Sequence, residues 1–220
     1  MGESIVMNEP QAVLDRFAVE LRILRQASRR GTEVFDERDG LVIGPPLSER
    51  QIRLVEREHR LVLPPEYRAF RLRFGDTTTG PRTFFRLEAG LTPDSGKCFP
   101  LDRPFLGCES PGHRRLVEGE RREDFVRLSR EWDLISLGHG VLNLCDYGCA
   151  MSGVLVLNGP FCGRVWFVSG DAAYYGPFGG CEPLHDEWAG DPEPTEVPRD
   201  YSFFEWYESW FDGQLERAQA

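Results

Sequence analysis

The placement of proline and glycine between residues 47 and 75 constrains the fold of this chain more than any other feature. The stretch reads LSERQIRLVEREHRLVLPPEYRAFRLRFG. Each proline disfavours the helical region for the residue before it, so Leu61 to Leu63 are predicted to be extended. Pro65 is tolerated in the first turn of a helix, and Gly75 is a typical helix stop. The stretch therefore predicts two helices joined by a short extended segment.

Two helix starts carry capping signals. Ser48 with Gln51, and Ser202 with Glu205, have the spacing of capping boxes, in which each side chain bonds the other residue's backbone N–H. Hydrophobic pairs stand at the staple positions beside both boxes: Leu47 with Ile52, and Tyr201 with Trp206. Aromatic residues then follow at helical spacing over residues 203–211. Such a stripe is more often a core face than a partner groove, so we predict that it is buried.

Short apolar runs predict an antiparallel sheet in the second half of the chain. We expect strands at residues 134–137, 141–144, 154–157 and 165–168, and an additional one at 84–87. Residues 158–163 are expected to join the last two strands as a hairpin loop. Trp166 alternates with its neighbours, which predicts one buried face and one free face of the sheet. The predicted fold class is α+β, an antiparallel meander with helices packed on it.

The sequence pattern also divides the chain into segments. Residues 1–46 are predicted to be an N-terminal extension, with an amphipathic helix at 10–27. The main domain spans 47–215, with an insertion near 92–131 and an acidic linker at 182–200. The inward stripe of the first helix is Val13, Phe17, Leu21 and Leu24.

Charge and composition restrict the class of protein. The formal net charge is −10, so the chain is a poor general binder of nucleic acid and is better suited to a basic partner. The first residues lack a basic region followed by an apolar run, and no apolar stretch is long enough to span a bilayer. We therefore expect a cytoplasmic protein without membrane contact. Its six cysteines are expected to be free, buried thiols.

Three blocks of this sequence resemble, in order, segments of the SUKH superfamily. The first is LSERQIRLVEREHRLVLPPEYRAF, and the second is LCDYGCAMSGVLVLNGPFCGRVWFVSGDAAYYGPF with its GRVW run after a turn. The third is the aromatic block YSFFEWYESWF. Together they cover roughly residues 47–212. The chain departs from the family in the loop GDTTTG, which replaces a glycine pair.

The resemblance implies a SUKH-like sheet-and-helix scaffold that binds other proteins. Members in bacteria are associated with neutralising polymorphic toxins, often nucleases or deaminases. The resemblance supplies no catalytic residues, so we expect a non-enzymatic immunity protein that occludes the active site of a basic toxin domain. A housekeeping adaptor or regulator is the alternative, and a zinc or thiol enzyme is a third.

Acidic and tyrosine residues near the predicted strand ends are the candidate partner-binding site. They are Asp146, Tyr147, Asp171, Tyr174 and Tyr175. Tyrosine is enriched in interface hot spots, and carboxylates that face a cationic partner speed encounter. Ordinary turn residues with surface tyrosines are the alternative interpretation.

Metal binding and thiol catalysis are the functional alternatives to a structural role for the cysteines and histidines. The best zinc set is Cys145, Cys149, Cys162, Cys181 and His185, but the usual C-x2-C pairs are absent. His139 precedes Cys145 by six residues, and a cysteine nucleophile needs such a base nearby. His139 lies in a Gly-His-Gly turn, where a solvated histidine is the simpler interpretation. We expect no metal, no cofactor and no catalytic residue.

Overall fold

The structure is a computed structural model, and it describes most of the predicted elements. The described residues are 9–29, 44–81, 83–102, 138–148, 151–169, 174–177 and 200–219. In chain order the elements are α1 (Glu9–Arg29), α2 (Glu49–His59), α3 (Pro65–Phe74), β1 (Thr83–Phe84), α4 (Leu87–Gly90), β2 (Val141–Gly148), β3 (Met151–Val156), β4 (Val165–Ser169), β5 (Tyr174–Pro177) and α5 (Phe203–Gln219). The predicted strand at 134–137 lies outside the described residues, as do 103–131 of the insertion and 182–199 of the linker.

The described strands form one antiparallel sheet in the order β1-β2-β3-β4-β5. Each strand pairs with its neighbour in sequence, so the predicted meander and the α+β class are confirmed. Two backbone hydrogen bonds of Val156 close the hairpin between β3 and β4. The Val156 N–H donates to the Arg164 carbonyl at 3.0 Å, and the Val156 carbonyl accepts the Gly163 N–H at 2.8 Å. This is the hairpin loop predicted at residues 158–163.

One face of the sheet, the helical face, is covered by α1, α3 and α5. Leu155 and Phe167 of the sheet share a buried cluster with Phe17, Phe70 and Tyr207 of the helices. The aromatic rings meet at tilted or edge-on angles, for example Phe70 and Tyr207 at 4.7 Å between centroids. Such pairs contribute about 0.5–1.5 kcal/mol each beyond burial of area. The predicted aromatic stripe on α5 is therefore core.

The opposite face, the loop face, is covered by residues that have no regular secondary structure. Phe99 and Leu101 are buried there against Val154 and Trp166, and the Phe99 and Trp166 rings lie 5.0 Å apart, edge to face. The prediction that one face of the sheet is free at Trp166 is wrong, because this side chain is 0% exposed. Alternate side chains of β4 are therefore buried on both faces of the sheet, under the helices on one face and under an irregular segment on the other.

Backbone and side-chain bonds hold this cover on the loop face. The Asn158 Oδ1 atom accepts the Phe99 N–H at 2.7 Å, and its Nδ2 group donates to the Lys97 carbonyl at 2.9 Å. Gly140 has a φ of 67°, and a Cβ there would lie 2.4 Å from the Phe99 nitrogen. The close approach of residues 97–101 to the sheet therefore requires glycine at this turn.

The helix ends follow the capping chemistry of the sequence. Both boxes form: the Ser48 and Ser202 amides donate to the Gln51 and Glu205 side chains at 2.9 and 2.8 Å. Gly75 ends α3 with a φ of 67°, and a Cβ at this residue would lie 1.7 Å from the Pro45 carbonyl oxygen. The strand predicted at residues 84–87 is wrong in extent, because β1 ends at Phe84 and Leu87 begins α4.

A guanidinium is fully buried among the aromatic rings of the helical face. The Arg71 side chain is 0% exposed and lies 4.9 Å from the Tyr67 ring centroid and 5.0 Å from that of Phe84. Its hydrogen-bond acceptors are the Tyr67 hydroxyl and the carbonyls of Gly75, Thr77 and Phe85. The Asp76 carboxylate is 3.7 Å away. Arg71 thereby ties α3 to the loop that leads into β1.

The loop that follows α3 is polar in sequence but buried in the structure. Thr77 and Thr79 are each 1% exposed, and the Tyr207 hydroxyl of α5 donates to the Thr79 carbonyl at 2.6 Å. Burial raises the pKa of Tyr207, so its hydroxyl stays protonated and available as a donor. This loop is the GDTTTG segment, in which the sequence departs from the SUKH pattern.

No helix in the described ranges has both the length and the apolar character needed to cross a lipid bilayer.

Candidate functional site

A cleft opens where the N-terminal ends of α1, α3 and α5 meet the β3–β4 loop. It has a volume of about 620 Å³. Its lining residues are Pro10, Val13, Pro64, Pro65, Glu66, Cys162, Gly163, Arg164, Ser202, Phe204, Glu205 and Glu208. Prolines, a valine and a phenylalanine form apolar walls, and three glutamates face one arginine among the charged residues. We refer to it as the acidic cleft.

Local capping chemistry places two of the three glutamates. The Glu66 Oε2 atom accepts the Phe204 N–H at 2.9 Å, so a carboxylate from α3 caps the first turn of α5. Glu205 is held by the Ser202 capping box. Helix N-termini carry partial positive charge, which favours carboxylates at these positions. The sequence alone did not bring the two residues together, because Glu66 and Phe204 are 138 residues apart.

The start of α5 is also anchored to the sheet. The Val165 N–H donates to the Tyr201 carbonyl at 3.0 Å, and Arg164 and Ser202 form an antiparallel bridge. These contacts pair the segment before α5 with the beginning of β4. The cleft therefore lies at the junction of the sheet and the helices.

Ion pairs balance part of the charge at the rim of the cleft. Glu208 pairs with Arg16 of α1, and the Arg164 guanidinium lies 3.5 Å from the Asp200 carboxylate. The Arg164 charge is thus shared with a carboxylate outside the lining, which leaves the lining acidic. Apolar walls with carboxylates suit a lysine or arginine side chain of a partner. Its aliphatic stem can pack on the prolines while its charge pairs with a carboxylate.

Cys162 is the thiol at the rim of this cleft. Its Sγ atom donates to the Leu157 carbonyl at 3.2 Å, and burial raises the pKa of the thiol. A thiol that stays protonated at neutral pH is a poor nucleophile. Cys162 and Cys98 are exposed, so the expectation that all the thiols are buried is wrong for these two, whereas Cys145 is buried as expected.

The structure separates the predicted partner-binding residues. Asp146 is exposed on β2, and its Oδ1 atom accepts the Gly148 N–H at 2.7 Å. Tyr147 is half-buried, with its ring 5.8 Å from that of Phe167 on the helical face. The tyrosine thus packs against the core instead of presenting a free ring beside Asp146.

Two of the other predicted residues lie on β5. Tyr174 and Tyr175 pair in register with Ser169 and Val168 of β4. The row that contains Tyr175 continues through Ser152 to Asp146, three strands away. At about 4.8 Å between strands, the Asp146 and Tyr175 backbones are about 14 Å apart, so the two residues are not neighbours in the sheet. Asp171 lies outside the described residues.

The zinc candidates are only partly described. Cys145 is buried on β2 and Cys162 lies in the β3–β4 loop, whereas Cys149, Cys181 and His185 fall outside the described residues. In the described part of the chain, no group of three or more histidine, cysteine or acidic residues is placed to hold a metal ion.

His139 is engaged with an aspartate. Its Nε2 atom lies 3.2 Å from the Asp94 carboxylate, and its side chain is 14% exposed, so the interpretation as a solvated loop histidine is wrong. The Asp94 pKa is lowered, first by its bond to Lys97 and also by His139. Within the described ranges His139 makes no hydrogen bond to a serine or cysteine, so the pair lacks the nucleophile that a triad requires.

Comparison of the chain with protein-family models, with curated proteins and with solved structures finds no match.

Proposed function

We propose that this chain is a non-enzymatic, SUKH-like protein-binding module that acts as an immunity protein. In this proposal it docks in the cytoplasm on a basic toxin domain, such as a nuclease, and occludes its active site. The observation that carries the proposal is the acidic cleft, which joins apolar walls to three glutamates at a junction of three helices and the sheet. The order of the three sequence blocks and the net charge of −10 also support it.

The chemistry of the cleft matches what such a toxin presents. A nuclease must gather phosphates with lysine and arginine, so its substrate cleft is cationic. An acidic partner speeds encounter with that surface and can raise the association rate by orders of magnitude at low salt. Close charge pairs at such interfaces couple by about 1.5–7 kcal/mol, enough to distinguish one toxin from its relatives.

Co-expression with the product of the neighbouring gene tests the proposal. We expect that product to arrest growth when expressed alone, and we expect this chain to restore growth and to be captured with it. Binding without growth protection would favour the housekeeping adaptor instead. If no adjacent gene encodes a toxin and growth protection never occurs, the proposal fails.

A pair of double variants locates the docking surface. Glu205→Gln with Glu208→Gln removes two charges from the acidic cleft, and Gln51 shows that glutamine completes a capping box in this chain. Glu58→Gln with Glu88→Gln removes two charges from exposed sites elsewhere. We expect the first pair to weaken toxin binding by about tenfold or more, which is about 1.4 kcal/mol, and the second to leave it within twofold. Equal losses would show that only net charge matters.

A further inference from the structure

A second cleft of opposite charge lies between α1 and α3. Its volume is about 290 Å³, and its lining residues are Ala18, Leu21, Arg22, Arg25, Arg73 and Phe74. Leu21 and Phe74 are buried and form an apolar floor, while the three arginines are exposed around it. Among the described residues, no carboxylate lines it. We refer to it as the arginine cleft.

The arginines of this cleft are largely uncompensated. Arg22 and Arg25 make no ion pair with any residue in the described ranges, and Arg73 reaches the Asp15 carboxylate only at 3.4 Å. Three such cations side by side repel one another, in a chain whose net charge of −10 offers many carboxylates for pairing. Cations near helix C-terminal ends complement the helix dipole. The dipole does not explain, however, why arginines from two helices converge around an apolar floor.

The chemistry of the cleft defines its ligand. The arginine guanidinium binds carboxylates through two parallel hydrogen bonds, and three of them at one rim call for more than one carboxylate. The cleft lies at the lower limit of the about 300–1,000 Å³ typical of small-molecule sites, so it fits one or two side chains better than a free metabolite. We propose that the arginine cleft binds an acidic peptide segment of a partner protein, with carboxylates on the arginines and one apolar side chain on the Leu21–Phe74 floor.

This site is distinct from the surface proposed to meet a toxin. Pro10 and Val13 at the acidic cleft precede Arg22 and Arg25 by twelve residues on α1. At 1.5 Å per residue the two clefts are about 18 Å apart along the helix. They attract opposite charges, so an acidic segment and a basic toxin domain would occupy the two ends of α1 without competing. The inference therefore does not depend on the proposed function.

Fluorescence anisotropy with the full chain and labelled hexapeptides tests the proposal. The probe is Asp-Glu-Leu-Phe-Asp-Glu; the controls replace its four acids by amides, or its Leu-Phe by Ser-Gly. We expect saturable binding of the probe at low salt with a Kd below about 1 mM, and at least tenfold weaker binding of either control. Arg22→Gln with Arg25→Gln should weaken probe binding at least tenfold. Arg50→Gln with Arg57→Gln, which removes two exposed arginines of α2, should change it less than twofold.

Four outcomes would overturn the proposal. The first is an absence of saturable binding, and the second is an equal effect of the two double variants, which would indicate general electrostatic attraction. The third is equal binding of the Ser-Gly control, which would leave the apolar floor without a role. The fourth is a single-stranded oligonucleotide that binds as tightly as the probe and loses affinity in the Arg22 and Arg25 variant. Circular dichroism of all variants verifies that they are folded.

Discussion

The two faces of the sheet are covered by different kinds of structure and are held by different forces. On the helical face, α1, α3 and α5 satisfy their own backbone bonds and contribute mainly apolar contacts. On the loop face, residues 97–101 have no regular structure, and their backbone is bonded to the Asn158 side chain. An irregular segment must find partners for its N–H and C=O groups elsewhere, so its attachment depends on individual hydrogen bonds. Helical cover tolerates single polar losses better, except at Arg71, whose guanidinium is fully buried.

That exception gives the largest expected effect. Arg71→Met keeps an unbranched side chain of similar length but removes the donors for the Tyr67 hydroxyl and three backbone carbonyls. Buried acceptors left without partners cost about 1–3 kcal/mol each, so we expect at least about 3 kcal/mol of destabilisation in urea unfolding. Arg71→Lys should recover little, because an ammonium cannot reproduce the planar fork.

Arg73→Met, two residues further along α3, is the matched control. Arg73 is exposed and forms only a 3.4 Å pair with Asp15, so its replacement should change the free energy of unfolding by less than about 0.5 kcal/mol. Similar effects of the two substitutions would contradict the assignment of Arg71 as the polar centre of the helical face.

A smaller loss should separate the loop face from the rest. Asn158→Ala removes both side-chain bonds to residues 97–99 and should cost about 1–2 kcal/mol. In hydrogen-exchange measurements we expect faster exchange of the Phe99 amide. The protection of the α3 and α5 amides should fall only as far as the global free energy of unfolding falls. Asn158→Asp keeps an acceptor for the Phe99 N–H but places a carboxylate at the Lys97 carbonyl, so it should remain destabilised at neutral pH. Uniformly faster exchange across both faces would show that the two covers unfold as one unit.

This contrast explains which parts of the fold could be predicted from sequence. The helix starts at Ser48 and Ser202 were predictable because a capping box acts over three residues, and Gly75 because a helix stop is equally local. The meander was predictable from short apolar runs. The cover over Trp166 was not, since alternation along a strand shows that a face is apolar without showing what packs on it. Arg71 was also missed, because no local pattern distinguishes a buried arginine from its exposed neighbours.

The candidate site was harder to predict for the same reason. The acidic cleft joins residues from four distant parts of the chain, and its central contact links Glu66 to Phe204. Asp146 and Tyr175 do share one register row of the sheet, as their positions near strand ends suggested. The register shifts after Asp146, however, and the Tyr147 ring packs against the core. Local signals identify residue types suited to binding, whereas the side on which each residue faces depends on tertiary packing.

The smallest expected effect lies within the helical layer, at the seam between α1 and α5. Glu20 has a buried Oε2 atom with no hydrogen-bond partner among the described residues. Burial raises its pKa above the ordinary 4.5, Arg16 lowers it, and the carboxylates of Glu208 and Asp212 raise it. A carboxyl whose pKa is raised by folding stabilises the fold below its ordinary value, and that contribution is lost as the pH rises through the folded value.

Glu20→Gln cannot ionise, so it should stabilise the chain slightly at neutral pH, by about 0.5 kcal/mol or less. The advantage over the parent should shrink as the pH falls towards 4.5 and should be lost well below that value, where Glu20 is protonated in both states. Thermal unfolding of both proteins between acidic and neutral pH measures this difference. Glu58→Gln on the exposed side of α2 controls for the loss of one negative charge. An equal stabilisation in the control would show that general charge repulsion, and not the α1–α5 seam, is responsible. A stabilisation that is equal at all pH values would show that ionisation of Glu20 is not its cause.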